Sequence, residues 1–425
     1  MDEMRSIWEL YGLKANPFST DPLLVKGGII PIDCFYGRRE EGERLEKQFR
    51  SEGGSRILVI GSPGVGKTTF VNFSRAKAIK NKFFSPFQEI KAQPDWNADD
   101  FILNSLSAIY STLKLLDEKE ISERLKPVVD FYEIKNRQGS LGANYLTIGG
   151  SVGYGETKSI HHPALTSSAL LELFQQTIAG LKKSGYREVI IHYNNIELFE
   201  EDETRLKSIL NKIRDFLQTP NVHFVFVGSE SLPSICQSIP RVSAIIQDTP
   251  IKLSPLSKED VQSVIQKRID VLKIPGLFTV SPCTNDAIFL LYNLHDGNIR
   301  AILNSLSTAV LEIVKDAPVT LDEQQTKIVL NSVAKKRFTS QLSPTVQKVL
   351  HELLIMKNGT NTMLSKKLDM KPQNMSSYLK ELSKSGCIFL VKSEGKEKFY
   401  AVSDWVKWLT LEPDKTVQGK LPQFA

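Results

Sequence analysis

The sequence predicts an α/β protein: a parallel-sheet phosphate-loop core, a helical lid and a C-terminal winged helix-turn-helix domain. Three observations carry this reading. First, a buried strand, a glycine-rich loop and an amphipathic helix follow one another in "RILVIGSPGVGKTTFVNF" (56–73). Second, "VIIHYN" (189–194) and "NVHFVFVGSES" (221–231) contain continuous apolar runs, the signature of parallel strands covered on both faces. Third, three helical patterns and an alternating hairpin fill the chain after Ser340. The boundaries drawn from these patterns are 1–255 for the core, 256–335 for the lid and 336–425 for the winged helix.

The loop Gly61-Ser62-Pro63-Gly64-Val65-Gly66-Lys67-Thr68, continued by Thr69, fits G-x-x-x-x-G-K-[ST] between a strand and a helix. Glycines let successive backbone N–H groups turn toward phosphates, and the helix N-terminus adds its positive dipole end. ATP and Mg2+ are the cofactors this implies. Lys67 would reach the β- and γ-phosphates and the Thr68 hydroxyl would ligate the metal.

The run Val189–Ile191 reads as a central strand, but its tip is neutral. An acidic metal-holding residue and a water-activating glutamate are expected there; Asn194 and Asn195 stand instead. Asn194 retains an oxygen that orients a metal-bound water but brings no charge. Asn195 is a poor base, because an amide has no useful proton affinity near neutral pH. General-base catalysis is worth ~10²–10⁴-fold, so weak or absent hydrolysis is expected. The alternative is rescue by Glu197, Glu200, Glu201 or Glu230.

The C-terminal stretch has its own pattern. Val346, Val349, Leu350, Leu353 and Leu354 line one face of a helix that Gly359 would end. "NTMLSKKLDM" gives a short second helix. "KPQNMSSYLKELSKSGCI" gives a third, with Pro372 in its first turn and Met375, Tyr378, Leu379 and Leu382 facing inward. "IFLVKSEGKEKFYAV" (388–402) alternates around Ser393-Glu394-Gly395 as a hairpin. Three helices and a hairpin make a winged helix, whose third helix enters a major groove of double-stranded DNA. Lys371, Gln373, Asn374, Ser376, Ser377 and Lys380 form its outward face, and Lys392, Lys396 and Lys398 belong to the wing. Gln and Asn suit adenine edges, while Ser and Lys suit phosphates. Winged helices also bind proteins, so a protein partner stays open as an alternative.

The order of these motifs resembles AAA+ ATPases of the archaeal origin-recognition type. "YGLKANPFSTDPL" (11–23) and "FYGRREEGERLEKQF" (35–49) are similar to segments that precede the phosphate loop in that group and in transposition and secretion ATPases. The resemblance implies that Phe18, Tyr36, Gly37 and Arg38 border the adenine. It implies a γ-phosphate sensor at Ser229 and a lid sensor at Arg300, in "LHDGNIRAILNSLSTAV" (294–310). It also implies an arginine finger at Arg241 reaching a neighbouring subunit, hence a homo-oligomer or a partner subunit at the ATP site. The asparagine pair departs from the family pattern. "GSLGANYLTIGGSVGYGETKS" (139–159), read as a glycine-rich hairpin insert, is also unusual for these initiators.

Charge is uneven. From Gln341 to Ala425 thirteen lysines face eight acidic residues, whereas the remainder carries 41 basic and 40 acidic. Nearly all the excess positive charge thus sits beside the expected DNA reader. No apolar run approaches the roughly 18 residues that cross a bilayer, so no membrane partner is expected. Cys34, Cys236, Cys283 and Cys387 lie far apart, which suggests neither disulfides nor zinc and fits a reducing cytoplasm. His161, His162 and the other histidines show no metal-ligand spacing. The polar tail 412–425 is expected to fray. Three functions fit: a nucleotide-switched DNA-binding protein, a signalling ATPase whose winged helix binds protein, and an active ATPase of transposition-regulator type.

Overall fold

A computed structural model describes residues 6–141, 166–246, 249–338, 342–394 and 397–412. The chain forms two compact units, one of residues 22–254 and one of residues 1–21 with 255–425. The second unit begins with a short helix, α1 (Ile7–Leu10).

The 22–254 unit is a five-stranded parallel sheet. Its strands are β1 (Arg56–Ile60), β2 (Ile90–Lys91), β3 (Val189–Asn194), β4 (Val222–Gly228) and β5 (Ile251–Lys252), in the order β2-β3-β4-β1-β5. Alternate side chains divide between two faces. Ile57, Val59, Ile190, Val225 and Val227 join one core, with Phe70 and Val71 of α3 (Lys67–Lys80) and Leu45 and Phe49 of α2 (Arg39–Phe49). Leu58, Ile191, Tyr193, Phe224 and Phe226 join the other. The helices α4 (Ala98–Leu115), α5 (Lys119–Leu141), α6 (Ser167–Lys183), α7 (Glu203–Lys212), α8 (Arg214–Leu217), α9 (Leu232–Gln237) and α10 (Pro240–Ser243) follow in sequence around that second face. Both faces are covered, which is why β1, β3 and β4 contain continuous apolar stretches. The expected hairpin insert mostly lies outside the described residues, but its first residues, 139–141, are the last turn of α5.

The other unit opens with the lid helices α11 (Lys258–Leu272), α12 (Asn285–Leu294), α13 (Ile299–Ile313) and α14 (Glu323–Phe338). They lead to α15 (Pro344–Met356), β6 (Asn358–Gly359), α16 (Asn361–Lys367), α17 (Pro372–Lys384), β7 (Ile388–Glu394), β8 (Glu397–Val402) and α18 (Asp404–Lys407). Helices α15–α17 and the β7–β8 hairpin have the arrangement of a winged helix-turn-helix. β6 adds a third antiparallel strand beside β8. Gly359 therefore lies in a strand; Lys357, with φ +64, is the left-handed residue that ends α15.

Residues 6–21 belong with the lid rather than with the core. Lys14 N–H donates to Leu272 O at 2.8 Å, and Ile274 N–H to Gly12 O at 2.9 Å. Tyr11 Oη donates to Val319 O at 2.8 Å, Asn16 Nδ2 to Ser307 Oγ at 3.0 Å and Arg268 Nη1 to Ser19 O at 2.8 Å. These bonds join residues some 250–310 apart in sequence, a separation that no local pattern reports.

Candidate nucleotide site and winged-helix face

The phosphate loop is shaped by its backbone. Gly61 has φ +151, and a Cβ there would meet Leu253 O at 2.4 Å, so only glycine fits between β1 and the chain beyond β5. Gly64 (φ +84) and Gly66 (φ +92) also take left-handed conformations, and Gly66 caps α3. Arg38, itself left-handed at φ +57 and 9% exposed, donates from Nη2 to Val65 O at 2.7 Å. Its guanidinium thus braces the loop from behind. Thr69 Oγ1 accepts from Leu23 N–H at 3.3 Å, and Asn72 Nδ2 donates to Leu23 O at 3.0 Å, fixing the approach segment to α3. Tyr36 presents a ring that is 44% exposed, beside Gly37 at φ +80.

Lys67 is buried and folds back over the loop, its Nζ donating to Gly61 O at 2.6 Å and Ser62 O at 3.2 Å. Asn194 shares the sheet face of Ile190, the face covered by α3, and its Nδ2 donates to Thr68 Oγ1 at 3.0 Å. The structure therefore brings Thr68 and Asn194 together from positions 126 residues apart. Asn195 is half-buried, with φ +64, and opens the 3₁₀ turn Ile196–Asp202 that holds Glu197. At the end of β4, Ser229 Oγ accepts from Ser231 N–H at 3.1 Å. Glu230 is engaged by Lys252 Nζ at 2.7 Å, which ties down one of the acids considered as a displaced base. Arg241 is exposed on α10.

The charge balance here differs from that of a carboxylate metal site. Mg2+ is ordinarily held by one or two carboxylates together with substrate phosphates. Thr68 and Asn194 supply a hydroxyl and an amide, both neutral. Among the described residues no cluster of three or more His, Cys, Asp or Glu side chains could hold a metal ion. These two residues would fit a metal only where bound phosphates supplied its anionic ligands.

Behind the site lies a buried polar layer. Arg75 of α3 is fully buried and donates to Ser85 Oγ at 2.9 Å, Asn72 Oδ1 at 2.8 Å and the Pro86 carbonyl. Its Nη1 lies 3.3 Å from His192 Nδ1. Burial lowers Arg75 to about 10, with Glu89 opposing, so it stays charged at neutral pH. Burial, assisted by that guanidinium, holds His192 well below the ordinary histidine value and therefore neutral. The layer fixes α3 against β3 immediately below Thr68 and Asn194.

In the lid, Gly297 (φ +74) turns the chain under Tyr292 and Pro255, where a Cβ would approach to 3.0 Å. Asn298 caps α13 by accepting from Ala301 N–H at 3.2 Å, leaving Arg300 exposed on the first turn. Phe18 is fully buried and packs edge-on against Trp8 at 5.8 Å.

On the winged helix, Lys371, Gln373, Asn374, Ser376, Ser377 and Lys380 are exposed, while Met375, Leu379 and Leu382 are buried. Asn361 Nδ2 donates to Ser376 Oγ at 2.7 Å, fixing α16 against α17. Lys398 is exposed on β8, in register with Ser393; Lys396 lies outside the described residues. Sequence reasoning missed Arg38 as a brace for the loop, and it missed His295, Asp404 and Trp408, which join the lid to the chain beyond β8.

The fold and this site define an α/β phosphate-loop architecture with a helical lid and a winged helix. No family model matches the chain. It is 22% identical over 418 residues to an uncharacterised HTH-type transcriptional regulator of Methanocaldococcus jannaschii, covering 96% of this chain and 94% of that one. Among solved structures it is similar to the Aeropyrum pernix Orc1 protein in complex with DNA, at 15% identity and a TM-score of 0.41, covering 88% of this chain and 92% of that one. It is also similar to the Aeropyrum pernix Orc2 protein in ADPNP–ADP complexes, at 13% identity and a TM-score of 0.46, covering 94% and 96%. A third likeness is to Cdc6p from Pyrobaculum aerophilum, at 12% identity and a TM-score of 0.39, covering 91% and 95%. Among the described residues no helix is long and apolar enough to cross a membrane.

Proposed function

We propose that the chain is an ATP-binding, nucleotide-switched protein of origin-recognition AAA+ type that grips double-stranded DNA and hydrolyses ATP slowly or not at all. The observation that carries this is the pairing of an intact phosphate loop with an uncharged strand tip, Asn194 on Thr68 at 3.0 Å. Lys67 would exchange its loop carbonyls for the β- and γ-phosphates, and Thr68 would hold Mg2+ against them. Asn194 would orient a metal-bound water, and Asn195 leaves the attacking water without a base. Arg300, exposed at the start of α13, would answer to the γ-phosphate and set the lid. Ser229 and Arg241 would sense the nucleotide from the same chain and from a neighbouring subunit. The exposed polar face of α17 and Lys398 suit the groove and its phosphates. The full-length likeness to a chain named an HTH-type regulator points the same way.

The test is duplex affinity of the full-length chain with and without ATP. The reading predicts at least about tenfold tighter binding when the site is filled, a difference of about 1.4 kcal/mol. Equal affinities would overturn it.

One observation favours a second reading, in which the winged helix binds protein. Phe389, Leu390 and Val391 are 49%, 41% and 50% exposed on the edge strand β7. Exposed apolar edges invite pairing with another chain. Normal ATP binding without duplex affinity, together with a protein captured through β7, would establish this reading instead.

A further inference from the structure

The turn that carries Arg300 is attached to the winged helix by contacts that the proposed function does not use. His295, at the end of α12, is 2% exposed. Its Nε2 shares a hydrogen bond with Ser305 Oγ of α13 at 2.8 Å, and its Nδ1 lies 3.6 Å from Asp404 Oδ1. Trp408 Nε1 donates to the same Ser305 Oγ at 3.0 Å. Asp404 and Trp408 follow β8, so the chain leaves the lid, builds the winged helix and returns to the lid.

The returning segment is held on both sides. Trp405 Nε1 donates to Gly386 O at 3.2 Å, between α17 and β7, while the Arg337 guanidinium of α14 lies over its ring at 4.8 Å. Asn331 Nδ2 of α14 reaches the carbonyls of Trp408 at 3.3 Å and Leu409 at 3.2 Å. A third attachment starts from the residue after His295: Lys357 Nζ donates to Asp296 Oδ1 at 2.9 Å. The winged helix is thus tied to the lid where the chain returns and along its flank. A domain anchored at two separate places loses the hinge freedom that a single connection leaves.

We propose that Asp404, Trp405 and Trp408 form a bracket that locks lid and winged helix into one rigid body, so that any displacement of the 295–300 turn is carried directly to α17. The rigidity stands on the contacts alone; only its use as a nucleotide relay rests on the proposed function.

The test places spin labels at Glu312→Cys on α13 and Ser383→Cys on α17, both exposed, in the full-length chain. The four native cysteines are buried, which directs labelling to the new sites. Pulsed dipolar spectroscopy should give one narrow distance, the same with and without ATP. The bracket variant Asp404→Asn with Trp408→Phe, which keeps an aromatic ring but removes the indole N–H donor, should at least double its width. A broad or nucleotide-dependent distance in the parent, or an unchanged width in the variant, would overturn the bracket. Duplex affinity measured on the same samples separates the two ideas. A narrow distance with no ATP response keeps the bracket and removes the switch, whereas a broad distance with an intact response does the reverse.

Discussion

The phosphate loop and the tip of β3 meet at a 3.0 Å hydrogen bond, yet they are equipped for different tasks. The loop has its lysine, its threonine, a backbone that only glycine allows at Gly61, and an arginine brace behind Val65. The tip of β3 offers two amides where a charge and a base are expected. The contrast fits the proposed function, in which holding a triphosphate and cleaving it are separate demands on neighbouring residues. A chain can keep the first while relinquishing the second.

Restoring the acids should break the contrast most dramatically. Asn194→Asp with Asn195→Glu is expected to raise ATP turnover by ~10²–10⁴-fold, the worth of a positioned general base. No gain in a phosphate-release assay would mean that the barrier lies elsewhere. Next, Lys67→Ala should weaken ATP binding by about 10–100-fold in calorimetry, since a hydrogen bond to a charged group is worth about 1.5–3 kcal/mol. Gly61→Ala forces a Cβ against Leu253 O, and overpacking of this kind typically costs about 1–3 kcal/mol. Urea unfolding of the variant should show that loss.

Acid sharpens the comparison from below the site. His192 is held neutral in the fold, so the unfolded chain binds more protons as pH falls below the free histidine value of about 6.5. Its stabilising contribution is complete above that pH and declines on acidification, by up to about 1.4 kcal/mol per pH unit. Unfolding at pH 7.5 and 5.5 should therefore differ in that direction, and His192→Asn should reduce the difference. The smallest effect belongs to the far end of the chain. Lys380→Ala should lower the salt dependence of duplex binding by about one unit of slope without changing ATP affinity.

What could be read in advance was local. The glycine pattern from Gly61 to Gly66, the apolar runs of β1, β3 and β4, and the buried stripe of Met375, Leu379 and Leu382 are written over a few consecutive turns or strand residues. Asn194 was legible because its strand type gives it away, even though Thr68 lies 126 residues earlier. The Arg38 brace was not legible, because a surface-type residue preceding α2 gives no hint that it will be buried against Val65 O. Nor was the attachment of residues 6–21 to the lid, or the bracket through Trp408, since each joins distant segments by scattered polar contacts without a period. The bracket did leave one trace. Trp405, Val406, Trp408 and Leu411 crowd apolar bulk just past the hairpin, where a loose tail would carry none.

The central claim is that bound ATP acts by occupancy, and one comparison tests it directly. Duplex affinity would be measured with ATP, with an analogue that resists hydrolysis, and with no nucleotide. The account predicts that ATP and the analogue support equally tight binding and that the empty chain binds weakly. If the analogue fails where ATP succeeds, cleavage is needed and the account is contradicted.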